Sequence, residues 1–232
     1  MNMKLNSIAA SMIAIASVGF TPAAVYAAET TKVENPAETR AESKDTLQEA
    51  ANVLENMKKE PDAEKLLQDA KGVFLVPNYA RAALGVGAAG GEGVLLTNQN
   101  GEWSGPMFYN MGAINAGLEI GIEAGQIAMV LRTDKAVEKF MDEHNFSLNA
   151  DAGLTIVDFS ARGQASWGKG DIVLWSDTEG AFVDAAVTVE DIFWDEEENM
   201  AFYGKDVQPS TVAEGKVKTR EENPVIILLG TR

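Results

Sequence analysis

Eleven of the chain's 21 glycines fall between residues 72 and 121, at 72, 85, 87, 90, 91, 93, 101, 105, 112, 117 and 121. A segment this rich in glycine is poor helix, because each glycine loses the most backbone freedom on ordering. It suits strands that curve tightly or pass close to one another. The apolar pattern agrees. Val73-Phe74-Leu75-Val76 is a short apolar run, which predicts a strand. Gly93 to Thr97 and Glu102 to Tyr109 flank Asn98-Gln99-Asn100-Gly101, a hairpin turn. Ile114, Ala116, Leu118, Ile120 and Ile122 alternate with polar or glycine positions, the period of a half-buried strand. Gln126 to Arg132 is expected to be its antiparallel partner.

Helical period governs the stretch before Gly72. Leu47, Ala50, Ala51, Leu54 and Met57 recur on one face, with Ser43 as the expected cap. Pro61 ends this helix and opens a second, Asp62 to Ala70, with Leu66 and Leu67 inward. A third is expected from Thr133 or Asp134 to Glu143, with Val137, Phe140 and Met141 on one side. Further strands are expected at Gly153–Val157, Asp171–Ser176, Ala181–Glu190, Met200–Tyr203 and Val225–Leu229. Turns are expected at 177–180 and 195–199, and a short helix at Ser210. The fold class is α+β: two N-terminal helices followed by a curved, mostly antiparallel β-sheet system.

The N-terminus predicts export. Lys4 precedes an apolar stretch from Ile8 to Phe20, and Val25-Tyr26-Ala27 offers small residues for cleavage. The stretch is too short for a spanning helix of ~20 residues. Residues 1–27 are therefore expected to be a signal peptide, 28–45 a flexible polar tether, and 46–232 the folded domain. The chain has no cysteine, so no disulfide supports it. With 19 basic against 35 acidic residues, it lacks the dense basic surface that nucleic-acid binding needs.

Catalytic and cofactor patterns are weak. Gly85-Val86-Gly87-Ala88-Ala89-Gly90 matches G-x-G-x-x-G, but Gly91 to Leu96 reads as turn and strand, not the helix N-terminus that would hold a pyrophosphate. His144 is the one histidine, so no multi-histidine or thiolate zinc site can form, and no G-x-S-x-G elbow occurs. The acidic run Asp195 to Glu198 lacks calcium-loop spacing and reads as a solvated hairpin loop. No metal, no cofactor and no enzymatic activity are expected. Of the four tryptophans, Trp103 and Trp167 lie next to turns; most are expected to pack in the core, and one is a candidate anchor at a lipid interface.

Several segments together carry a family pattern. Ala70-Lys71-Gly72-Val73-Phe74-Leu75-Val76-Pro77 resembles the opening of SYLF domains. Arg81 to Gly87 is similar to that family's basic residue and glycine-rich strand. Gly91 to Leu96, then Gly101-Glu102-Trp103-Ser104-Gly105-Pro106-Met107-Phe108, matches its "G-x-W-S-x-P" signature, the most specific part. Ala116 to Gly121, Gly180 to Ala186 and Asn199 to Gly204 continue the likeness, which covers roughly residues 46–215. The chain departs from the pattern at Val157 to Arg162 and at Asp184, which stands where the family has glycine.

The resemblance implies lipid binding by a non-catalytic, exported module of the bacterial envelope, with a phospholipid or membrane surface as partner. The alternatives are an envelope scaffold without a lipid ligand and, last, a carboxylate hydrolase. Lys58, Lys59, Lys65, Lys71 and Arg81, the last at the family's basic position, form the main basic cluster and are the candidate lipid-binding residues. A head-group phosphate needs such donors. Glu55, Glu60, Asp62, Glu64 and Asp69 lie among them.

Overall fold

The computed structural model describes residues 35–142, 145–147, 154–159, 170–177, 191–219 and 221–230. All belong to one compact unit, 35–232. Among the described residues there are six helices: α1 (Pro36–Met57), α2 (Ala63–Gln68), α3 (Asp134–Asp142), α4 (Glu196–Tyr203), α5 (Pro209–Ala213) and α6 (Pro224–Leu229). The seven strands are β1 (Gly72–Gln99), β2 (Glu102–Trp103), β3 (Met107–Leu131), β4 (Asn145–Ser147), β5 (Ile156–Asp158), β6 (Ile172–Ser176) and β7 (Asp191–Trp194). The α+β reading with a curved, mostly antiparallel sheet holds, and β5–β6 is the parallel pair.

Two very long strands organise the sheet. β1 and β3 pair antiparallel from Gly72↔Leu131 to Leu95↔Met107, with register shifts at Val76/Tyr79 and Leu84/Val86. Asn100 and Gly101 turn the chain between β1 and β2 with φ of 56° and 92°, the two positive angles a tight hairpin turn requires. β7 pairs with the start of β3 at Tyr109–Gly112, and β6 with its end at Ile127–Leu131.

β1 also folds back beside itself. The Asn98 N–H donates to the Lys71 carbonyl at 2.7 Å. A Cβ on Gly91 would lie 2.8 Å from Val76 Cγ1, and one on Gly93 would lie 2.5 Å from Phe74 Cε2. The first and last thirds of β1 are therefore antiparallel neighbours, and β3 follows the same bend on the outer side. The glycine density marks this double-back. The expected hairpin between 114–123 and 126–132 is absent: both lie in one strand, and their partner is β1. The alternating faces read at 114–122 fall on side chains outside the described set.

Helices cover both sheet faces, so β1 buries neighbours in opposite directions. Phe74 and Val76 join a core with Tyr109, Met129, Phe140 of α3 and Val212 of α5. Val73 and Leu75 face the other way, to Leu54, Met57, Leu66, Phe202 and Val225. A strand buried on both faces needs a continuous apolar run, which is what residues 73–76 supply.

Further expectations are corrected. The first helix starts at Pro36, not Ser43, so 36–45 of the expected tether are helix. Asn35 Oδ1 accepts from Ala37 N–H at 3.1 Å, and Pro36 sits at the first position, where a missing N–H costs nothing. Ser43 lies inside the helix, fully buried. Asp195–Asn199 is not a hairpin loop, nor Met200–Tyr203 a strand; together they are α4. Asp195 Oδ1 accepts the Glu198 N–H at 2.8 Å, three acids occupy the first turn where the helix dipole favours them, and Gly204 at φ 68° ends it. Val225–Leu229 is helical because Asn223 Oδ1 accepts from Val225 and Ile226 N–H groups, overriding the β preference of the side chains. Pro61 lies in the turn before α2, whose first residue is Ala63.

The expectations for α3, α5, β6 and the Asn98–Gly101 turn hold. Thr133 Oγ1 accepts the Ala136 N–H at 3.2 Å and caps α3. The strand expected at 153–157 is seen as β5 at Ile156–Asp158. The signal peptide, the strand expected at 181–190, part of the turn at 177–180, Trp167 and His144 lie outside the described residues.

Candidate functional site

The five basic candidates do not form one site. Four surround the corner where α1, α2, the β1–β2 turn and α6 meet. Lys58 ends α1, and its Nζ donates to the Leu228 carbonyl at 2.9 Å. It thereby caps α6, a favourable place for a cation beside unpaired helix carbonyls. Its ammonium is also 3.8 Å from Glu64 Oε1. Lys59 is exposed, and its Nζ donates to Asn56 Oδ1 at 2.7 Å. Lys65 lies exposed in the last turn of α2. Lys71 precedes β1, with Nζ 3.4 Å from Asp134 Oδ1. Arg81 is ten residues further along, on the double-back, opposite Glu123 in register. At about 3.3 Å per residue that is roughly 30 Å of strand from Lys71.

Two clefts open at this corner. One, of about 170 Å³, is lined by Lys58, Leu67, Trp103, Leu228 and Leu229 among others. Its neighbour, of about 370 Å³, shares Gln68 and Asn98 with it and carries Lys71. On α6, whose Leu228 and Leu229 line the first cleft, Ile227 is 69% exposed, the most exposed large apolar side chain among the described residues. Leu228, Leu229 and Trp103, which share that cleft, are half-buried. Sequence reasoning missed this apolar component, because it took 225–229 for a strand. The caps Asn223 and Pro224 were the available signal.

The G-x-W-S-x-P segment is a clasp. Ser104 Oγ accepts the Thr97 N–H at 3.0 Å and donates to the Gly105 carbonyl at 2.9 Å. Tyr203 of α4 donates its hydroxyl to the Pro106 carbonyl at 2.7 Å. A Cβ on Gly105 would lie 2.5 Å from that hydroxyl, so a side chain there would push the hydroxyl aside. The motif fixes the β1–β3 connection against α4 and places Trp103 at the cleft.

A third cavity, about 450 Å³, follows the seam between the N-terminal turn of α1 and α4, lined by Pro36, Arg40, Glu197 and Met200 among others. Inside that seam Glu198 is buried, and burial, followed by the charges of Glu92 and Asp195, pushes its carboxyl up to about 8. Among the described residues, no group of three or more His, Cys, Asp or Glu side chains is placed to hold a metal ion. No described helix is long and apolar enough to cross a membrane. The G-x-G-x-x-G glycines lie within β1, with strand on either side.

Comparison with known proteins settles the family. The signature of the Ysc84 family, described as "Las17-binding protein actin regulator", matches residues 112–229. The chain belongs to the Ysc84, or SYLF, family. Protein YSC84 of Saccharomyces cerevisiae is 25% identical over 173 residues, 72% of this chain and 37% of that protein. SH3 domain-containing YSC84-like protein 1 of Rattus norvegicus is 26% identical over 156 residues, 66% of this chain and 46% of that protein. LAS seventeen-binding protein 3 of Saccharomyces cerevisiae is 25% identical over 158 residues, 66% and 34% respectively. The chain thus spans less than half the length of these relatives. No solved structure matches. The Ysc84 match starts within β3 and runs through α6, so the likeness extends past residue 215, where sequence reading ended it. The α6 corner therefore belongs to the family region.

Proposed function

We propose that this Ysc84-family chain is an exported, non-catalytic lipid-binding module of the bacterial envelope, and that it meets a phospholipid surface with its α1–α2–α6 corner. The observation that carries the reading is α6, which exposes Ile227, lines a cleft with Leu228 and Leu229 together with Trp103, and has the Lys58 ammonium bonded to its end. An apolar ridge edged by lysines matches the boundary between acyl chains and anionic head groups. The apolar part dominates, because the four lysines there stand among Glu55, Glu60, Asp62, Glu64 and Asp69. Arg81 serves only a ligand that also reaches the double-back.

The test is co-sedimentation with vesicles of phosphatidylglycerol and of phosphatidylcholine. Ile227→Glu is expected to weaken binding to both. Lys59→Glu with Lys65→Glu and Lys71→Glu is expected to weaken only the anionic vesicles, each lysine near the surface contributing on the order of 1 kcal/mol. Lys58 is left intact because it caps α6. Wild-type protein that ignores both vesicles, or binding unchanged in both variants, overturns the reading. The names of the relatives, as Las17-binding and actin-regulating proteins, support a second reading in which the domain is an interaction scaffold for a protein partner. Absence of vesicle binding would favour it.

A further inference from the structure

The cavity of about 450 Å³ between α1 and α4 lies apart from the lipid-facing corner. It sits at the start of α1, and at about 1.5 Å per residue the 22-residue helix puts roughly 30 Å between Pro36 and Lys58. Cavities of about 300–1,000 Å³ are the size that encloses a ligand. Pro36 and Ala37 of α1 and Met200 and Ala201 of α4 give this one an apolar lining. Met200 is 47% exposed, one of three large apolar side chains left open among the described residues. An unbranched thioether adapts to the shape it meets, so methionine suits a surface that packs against a partner.

The charges select that partner. Glu197 lines the cavity and belongs to the run Asp195-Glu196-Glu197-Glu198 that opens α4. The lining holds one cation, Arg40, whose Nη2 donates to Glu221 Oε1 at 3.1 Å, a carboxylate outside the lining. The carboxyl of Glu198 is pushed up to about 8, first by burial and then by the charges of Glu92 and Asp195. Acids thus crowd this end of α4, and a cation brought to it relieves them. An anionic head group would be repelled at the same place. A second copy of this chain is a poor occupant, because 35 acidic against 19 basic residues make copies repel.

We propose that the α1–α4 groove docks a protein partner through a short segment in which bulky apolar side chains are flanked by Lys or Arg. The apolar side chains pack on Met200, Pro36 and Ala37, and a flanking cation meets Glu197. Like-for-like matching of an apolar floor and a charged rim gives such a contact both its affinity and its choice of partner.

Fluorescence anisotropy with the full chain tests this. The probes are three labelled peptides with the cores Arg-Leu-Leu-Arg, Ser-Leu-Leu-Ser and Glu-Leu-Leu-Glu. The basic peptide should bind, the neutral one at least about fivefold more weakly, and the acidic one more weakly still. Glu197→Lys should weaken the basic peptide about fivefold, and Met200→Asn about threefold or more. Glu138→Lys makes the same change of charge at an exposed site on α3, which packs on the other sheet face. It should alter binding less than about twofold. All three positions are exposed, so these changes leave the fold intact. Absence of binding by the basic peptide overturns the proposal, as does unchanged binding in Met200→Asn. Equal binding of the neutral peptide would make the groove a purely apolar site and refute the basic partner. Equal loss in Glu138→Lys would reduce the attraction to net charge and refute the groove. Self-association of the chain that Met200→Asn abolishes would assign the groove to a second copy and overturn the proposal.

Discussion

The double-back of β1 makes a sharp claim about Gly93. A methyl there would lie 2.5 Å from both Phe74 Cε2 and Cζ and 2.9 Å from Val76 Cγ2. Carbon atoms rest at about 3.5–4.0 Å, so something must shift by roughly 1 Å. The Phe74 ring has little room to retreat. It is fully buried, 5.4 Å from the Phe140 ring and 6.3 Å, edge on, from Tyr109. Overpacking of this kind costs about 1–3 kcal/mol, offset by about 0.4–1 kcal/mol from stiffening the unfolded chain. Gly93→Ala should therefore destabilise by roughly 1–2 kcal/mol, read as a lower urea midpoint at unchanged slope. Gly112→Ala is the control, since its methyl would find Phe193 Cζ at an ordinary 3.5 Å. It should be neutral or slightly stabilising. Adding Phe74→Leu to Gly93→Ala should cost less than the two single changes summed, by about 0.5 kcal/mol or more. If Gly93→Ala is as stable as the wild type, or Gly112→Ala suffers equally, β1 does not fold against itself as described.

Two further outcomes are expected. Asn199 is fully buried; its Oδ1 accepts the Phe108 N–H at 3.1 Å, and its Nδ2 donates to the Phe108 carbonyl at 2.8 Å. Asn199→Ala strands that N–H beside the end of the β7 ladder and should cost about 1–3 kcal/mol in chemical denaturation; a loss under about 0.5 kcal/mol would contradict the bond. The proposed export predicts a mature protein beginning at Ala28, and N-terminal sequencing of the exported form that returns Met1 would refute it.

The sequence itself determined those features in which local chemistry and tertiary structure agree. Asn100-Gly101 turns the hairpin because these residue types accept positive φ, and nothing distant is needed. Thr133 caps α3, and residues 73–76 declare a strand buried on both faces. The family was also legible, since the W-S-x-P clasp depends on residue types at fixed spacing. Tertiary structure decided the rest. The glycines told of close approach, but only the fold shows that β1 approaches itself, because Gly91 and Gly93 meet residues as far back as Val76 and Phe74. Val225–Leu229 has strand-forming side chains and became helix through Asn223, Pro224 and the Lys58 cap. That change turned Ile227 outward and moved the candidate site from a charge cluster to an apolar ridge. Arg81 left the cluster because strand length, which no motif reports, carries it away from Lys71. Glu198 stood in a run of acids that reads as solvent-facing. Its burial exists only once α1 and α4 meet, and a carboxyl's proton follows its surroundings rather than its neighbours in the chain.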